Sequence, residues 1–150
     1  MLAQSAARYA SLVPLRHDAK IDLLKRVPLF AGCSKQELRR IASITDEVDL
    51  KEGTELTREG ERGREFFVLL EGTVGVEKGG KSRGTRGEGD FIGEIALVTQ
   101  APRTATVTAK TPVRALVVTG RDFRGLLRET PQIQMKVLQA LADRLAADAV

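Results

Sequence analysis

The spacing of apolar residues along this chain changes twice. In the first stretch the period is helical. Asp18 can cap a helix over Asp18–Lys25, with Ile21, Leu24 and Lys25 at helical spacing, and Pro28 stops it. Ser34 and Glu37 then stand three residues apart as a capping box, and Leu38, Ile41 and Ala42 follow on one face, so Ser34–Ser43 reads as a second helix. From Val48 to Val118 the period shortens to two. Val48 and Leu50 alternate, Phe66 to Leu70 run as a continuous apolar strand, and Val74 and Val76 alternate again. Thr104–Ala109 alternates Thr with Ala and Val, and Val113–Val118 follows Pro112. After Gly120 the helical period returns. Asp122–Arg128 reads as one helix. Thr130 and Pro131, as N-cap and first helical residue, open another whose face carries Ile133, Val137, Leu138, Leu141 and Leu145.

Turn signals explain why the middle reads as strands. Of 14 glycines, 11 lie between Gly53 and Gly93, clustered as Lys51-Glu52-Gly53, Glu59 to Gly63, Glu71-Gly72, Gly79-Gly80 and Gly87 to Asp90. Short strands at such intervals, with no dozen-residue helix between them, argue for an antiparallel sandwich or barrel and against a parallel sheet. The expected class is α+β.

Composition narrows the chemistry. With 24 Lys and Arg against 20 Asp and Glu the net charge is +4, and the basic residues are interspersed with acids, which suits a solvated surface better than a nucleic-acid face. One cysteine, Cys33, and one histidine, His17, leave no disulfide and no zinc-type ligand cluster. No window has the 18 apolar residues of a membrane span. Residues 1–17 carry Arg8 and Arg16 and no acid, yet lack a compact apolar stretch and a cleavage site. They read as a loose or helical N-terminal arm ahead of one domain over 18–150, and the expected location is the cytoplasm.

One stretch stands apart: Gly89 to Val98, followed by Pro102-Arg103-Thr104-Ala105-Thr106-Val107. Gly93 allows a tight turn, and Glu94–Val98 can form one helical turn whose first N–H groups are free to meet an anion. Arg103, nine residues beyond Glu94, can grip two oxygens of one phosphate. An ionised Glu94 only accepts hydrogen bonds, so it wants hydroxyls or amides. Together these suit a sugar phosphate. The plainer alternative is a surface ion pair between Glu94 and Arg103, worth about 0–1 kcal/mol.

The surrounding residues tip that balance. Ile92-Gly93-Glu94-Ile95-Ala96-Leu97 with Pro102-Arg103-Thr104-Ala105-Thr106 resembles the phosphate-binding cassette of cyclic nucleotide-binding domains, found in catabolite activator proteins, cyclic-nucleotide-dependent kinases and ion channels. Val27-Pro28-Leu29-Phe30, Gly53, Arg58-Glu59-Gly60 and Phe66–Gly72 extend the likeness over roughly Asp18 to Ala147. The resemblance implies a jelly-roll-like antiparallel β-roll flanked by N-terminal helices and C-terminal lid helices. It implies that Arg103 pairs with phosphate oxygens, that Glu94 accepts from the ribose 2′-OH, and that backbone N–H groups near Ile95 and Ala96 cap the phosphate beside Gly93. Ile92, Ile95 and Val76 would wall the ribose and base, although Val76 also reads as ordinary core. Thr104 would add a hydroxyl without deciding between cAMP and cGMP. The last helix would close over the base through Leu141 or Leu145, since no aromatic residue follows Phe123, and Arg144 and Asp148 fall where some members contact the base.

Two departures matter. Arg86 stands where an apolar residue is usual, and Arg83-Gly84 makes a thin wall, so either the strand near residues 82–86 is frayed or an arginine faces the ligand. The sequence given stops at Val150, leaving no helix-turn-helix, so DNA binding by this chain is not expected. The expected function is a cyclic nucleotide sensor, cAMP first, without a cofactor and without catalysis, because one histidine supplies neither a base nor a metal at the phosphate. The alternative is a dimerising interaction domain with a weak pocket, its seam on Leu138, Leu141 and Leu145. A homodimer or an effector protein would then meet the C-terminal helix.

Overall fold

A computed structural model describes residues 11–12, 17–93 and 101–148, with the side chains of residues 11, 12, 17, 18, 140, 144, 145, 147 and 148 excepted. Among them the chain forms β1 (Ser11–Leu12), α1 (His17–Lys25), a 3₁₀ turn (Pro28–Phe30) and α2 (Lys35–Ser43). Then come β2 (Asp46–Leu50), β3 (Glu55–Thr57), β4 (Glu65–Glu71), β5 (Val74–Lys78), β6 (Lys81–Arg86), β7 (Phe91–Ile92), β8 (Thr106–Ala109) and β9 (Val113–Thr119). Two helices close the chain: α3 (Gly120–Glu129) and α4 (Pro131–Asp148). The strands form two antiparallel sheets, β1-β2-β9-β4-β7 and β3-β8-β5-β6. This is the α+β β-roll that the sequence pointed to.

The continuous apolar run in β4 follows from its position. Both faces of its sheet are covered, so alternate residues enter different cores. Phe67 and Leu69 face the other sheet and pack with Val48, Leu56, Val74, Val107 and Val117. Phe66, Val68 and Leu70 face the helices and pack with Leu24, Leu38, Phe123 and Ile133. Phe66 stacks on Phe123 with ring centroids 4.5 Å apart. Register with β9 pairs Phe66 with Val118 and Phe67 with Val117, and a one-residue slip would exchange the two cores.

The helix ends follow their side chains. The Ser34 hydroxyl accepts from the Glu37 N–H at 3.1 Å, and Glu37 Oε1 accepts from the Ser34 N–H at 2.7 Å. α3 starts two residues before the expected Asp122, because the last residue of β9, Thr119, caps it by accepting from the Asp122 N–H at 3.1 Å. An ion pair between Arg40 and Glu129 ties α2 to α3.

Two segments differ from the sequence expectation. The N-terminal arm, expected to be loose or helical, contains a strand at Ser11–Leu12, paired with Asp49 and Val48 of β2. It covers backbone groups that β2 would otherwise leave unpaired at an edge. The strand near residues 82–86 is not frayed: β6 pairs with β5 from Val74–Arg86 to Lys78–Lys81, as an edge strand of its sheet. Its polar composition suits that place, with Arg83 exposed and Arg86 half-buried.

Candidate functional site

Arg103 enters the structure as a buried cation, only 6% exposed. Its backbone is clamped first. The Arg103 N–H donates to the Glu61 carbonyl at 2.8 Å, and the Gly60 N–H donates to the Arg103 carbonyl at 2.9 Å. This pairing lashes the strand-to-strand loop over residues 58–63 to the segment ahead of β8. Glu59 extends the lashing: its N–H donates to Thr106 Oγ1 at 3.0 Å, and its Oε1 accepts from the Gly79 N–H at 2.8 Å. Thr57 Oγ1 donates to the Ala105 carbonyl at 2.9 Å.

The guanidinium then turns inward. Nη2 donates to the Glu65 carbonyl at 2.6 Å and Nη1 to the Gly93 carbonyl at 3.2 Å. Two glycines make room for it. A Cβ at Gly63 would lie 1.6 Å from Nε, and one at Gly93 would lie 2.5 Å from Nη1 and 2.9 Å from the Glu65 carbonyl oxygen. Gly93 also holds φ at +97°, a conformation that costs other residues strain. The cation thus rests between two side-chain-free positions, at the start of β4 and the end of β7.

The structure brings Gly93 and Arg103 into direct contact, with Ile92 next to them in the chain. Ile92 is buried in the core between the sheets, and Val76 packs half-buried against the same core, opposite Val107 in register. Thr104 is exposed. Glu94, Ile95 and Ala96 lie outside the described residues. Leu141 packs against the helix-side core, across the five-stranded sheet from Val76 and Ile92. Arg144 and Leu145 belong to α4, and their side chains lie outside the description, as does that of Asp148. Arg86 donates to the neighbouring Thr85 carbonyl at 3.3 Å.

Sequence reasoning missed Gly63 and the Glu65 carbonyl. Gly63 lies in a run that reads as a turn, yet it is absent from the positive-φ glycines. Its second role shows only in the three-dimensional approach of Arg103. A second glycine three residues after Gly60 was the available signal.

Elsewhere, among the described residues, no group of His, Cys, Asp and Glu is placed to hold a metal ion, and no helix is long and apolar enough to cross a membrane. Burial pushes the Cys33 thiol pKa up, opposed by the Lys136 ammonium 3.7 Å from its sulfur.

Residues 47–130, over half of the chain, match the family model described as cyclic nucleotide-binding domain. Among curated proteins, a candidate potassium channel protein of Rhodopseudomonas palustris is 33% identical over 126 residues, covering 82% of this chain and 31% of the relative. A cAMP-dependent protein kinase regulatory subunit of Yarrowia lipolytica is 35% identical over 106 residues, covering 69% of this chain and 28% of the relative. The chain therefore spans less than a third of the length of these relatives. Among solved structures, the regulatory subunit of a cAMP-independent protein kinase A from Trypanosoma brucei superposes with a TM-score of 0.76 at 26% identity, covering 95% of this chain and 47% of that one.

Proposed function

The chain belongs to the cyclic nucleotide-binding domain family, and from that premise we propose that it is a regulatory sensor that binds cAMP and transforms nothing. The observation that carries the reading is the Arg103 guanidinium, buried between Gly63 and Gly93 beside the turn into the cassette. In this reading Arg103 meets the phosphate oxygens, the N–H groups of Ile95 and Ala96 cap them, and Glu94 accepts from the ribose 2′-OH. Gly93 lets the phosphate reach the backbone. Ile92 and Val76 line the sugar and base, and Thr104 offers a hydroxyl at the rim. Residues 18–150 make up the sensing domain, residues 1–17 an arm before it, and the domain acts in the cytoplasm.

The physical sequence is an exchange of partners. A phosphate offers two charged oxygens to a guanidinium, a stronger match than carbonyl acceptors. As Arg103 takes phosphate, its hold on the Glu65 and Gly93 carbonyls relaxes and the turn after β7 is reset. That change passes to α4: Leu141 leaves the helix-side core, where it packs in this structure, and with Arg144 and Leu145 is assigned to cover the base. A ligand shifts such an equilibrium only by its unequal affinity for the two arrangements. The relative named as a cAMP-dependent regulatory subunit supports the choice of cAMP over cGMP.

A second reading has its own observation. Met135 and Leu138 are 66% and 58% exposed on α4. An interaction or dimerising domain with a weak pocket would use such a face. A thermal-shift screen of cAMP, cGMP and AMP, with sedimentation of the same samples, separates the two. The sensor reading expects cAMP to raise Tm most and AMP least. A dimer whose Tm and mass are both indifferent to all three nucleotides favours the interaction reading.

A further inference from the structure

Two residues of α3 work against the helix that carries them, and both face one groove. Arg121 sits in the first turn, where the helix dipole disfavours a cation. Gly125 sits in the middle, where glycine is among the poorest helix formers. No neighbour within the described chain requires the glycine: a Cβ built on it meets nothing within 4 Å. With Arg128 these residues fall at i, i+4 and i+7, on one face of the helix. The groove between α2 and α3 is lined there by Arg121, Gly125 and Arg128, with Ile44 and Leu126 as its apolar floor. Arg40 pairs with Glu129 at one end, and Asp122 lines the other, where a carboxylate suits the helix N-terminus. Arg121 and Arg128 are exposed and have no ion-pair partner among the described residues.

We propose that this groove docks an acidic amphipathic helix of a partner protein, laid along α3. The spacing sets the partner's pattern. Seven residues of helix span about 10 Å, so carboxylates at i and i+7 of a helix alongside reach Arg121 and Arg128 together. A small residue between them sits over Gly125, because the closest helix approaches need small side chains at the contact. An apolar neighbour covers Ile44 and Leu126. Arg121 and Gly125, both unfavourable to the isolated helix, then have one shared cause. The surface lies on the helical layer and is independent of the nucleotide reading.

The test uses fluorescein-labelled stapled helical peptides with Glu at two positions seven apart and Ala between them, and the same peptide with Lys for Glu. Anisotropy is measured against the full chain. The acidic peptide is expected to bind saturably. Affinity should fall at least tenfold for R121E/R128E and for Gly125→Leu, and the Lys peptide should bind R121E/R128E in its place. Gly125→Ala should raise Tm, since nothing among the described residues needs the glycine. No saturable binding of the acidic peptide, binding that survives R121E/R128E, or a Tm lowered by Gly125→Ala would each overturn the proposal. So would a result in which phosphatidylserine vesicles, and not the peptide, bind in a manner dependent on Arg121 and Arg128. cAMP titration of each variant is read separately, so a failure here does not touch the nucleotide assignment.

Discussion

Replacing Gly63 with alanine should unseat Arg103 without replacing any residue assigned to the ligand. The new Cβ would stand 1.6 Å from Nε, 1.9 Å from Cζ and 2.4 Å from Nη2. Non-bonded heavy atoms prefer about 3.5 Å or more, so the guanidinium must move by roughly 2 Å. A shift of that size breaks the 2.6 Å and 3.2 Å bonds to the Glu65 and Gly93 carbonyls. Each bond from a charged donor contributes about 1.5–3 kcal/mol, and the displaced head regains part of this by hydration, so stability should fall by about 2–4 kcal/mol. For the ligand, losing a desolvated charge partner costs about 2–5 kcal/mol, which is roughly thirtyfold or more in affinity. Urea unfolding reads the first effect and calorimetric titration with cAMP reads the second. Gly60→Ala is the matched control. It holds φ at +86° and a Cβ there meets nothing among the described residues, so it should lose stability from backbone strain while keeping affinity. A Gly63→Ala protein with unchanged stability and unchanged affinity would refute the packing argument for Arg103.

Other consequences follow from the same geometry. Ser34→Ala removes the reciprocal cap of α2 and should cost about 0.5–2 kcal/mol in urea unfolding, with cAMP affinity unchanged. Phe123→Ala deletes a buried ring stacked on Phe66 and should cost about 3–5 kcal/mol. The Cys33 thiol, pushed up by burial, is held protonated at pH 7 and should alkylate more slowly in the folded protein than in urea. The folded state keeps that proton longer than the unfolded one, so this group's contribution to stability declines as pH rises past the ordinary thiol range. Equal alkylation rates in the two states would contradict the burial.

The parts legible in the sequence were those written in local chemistry. Ser34 and Glu37 announced α2 because a capping box is a short-range pattern. The five apolar residues from Phe66 to Leu70 announced a strand, and the structure shows both its faces covered. The cassette stood out because Gly93 and Arg103 are scarce residue types for the roles their spacing suggests. The rest depends on contacts distant in sequence. Ser11–Leu12 is too short to show a period, and it is a strand only because β2 offers an edge. Thr119 ends β9 and caps α3 at once, a double role that the apolar run Val113–Val118 does not show. Gly63 resembles any turn glycine until Arg103, forty residues on, is laid across it. Leu141 carries the apolar spacing of its helix, but periodicity does not say which core it joins.

The central claim is that Arg103 is the phosphate partner, and the most direct measurement is calorimetric titration of cAMP into the wild-type chain and into Arg103→Ala and Arg103→Lys. Saturable binding by the wild type is expected, with a loss of about 2–5 kcal/mol in Arg103→Ala and only partial recovery in Arg103→Lys, whose point charge cannot replace the planar fork. An Arg103→Ala protein that remains folded and binds cAMP as tightly as the wild type would contradict it.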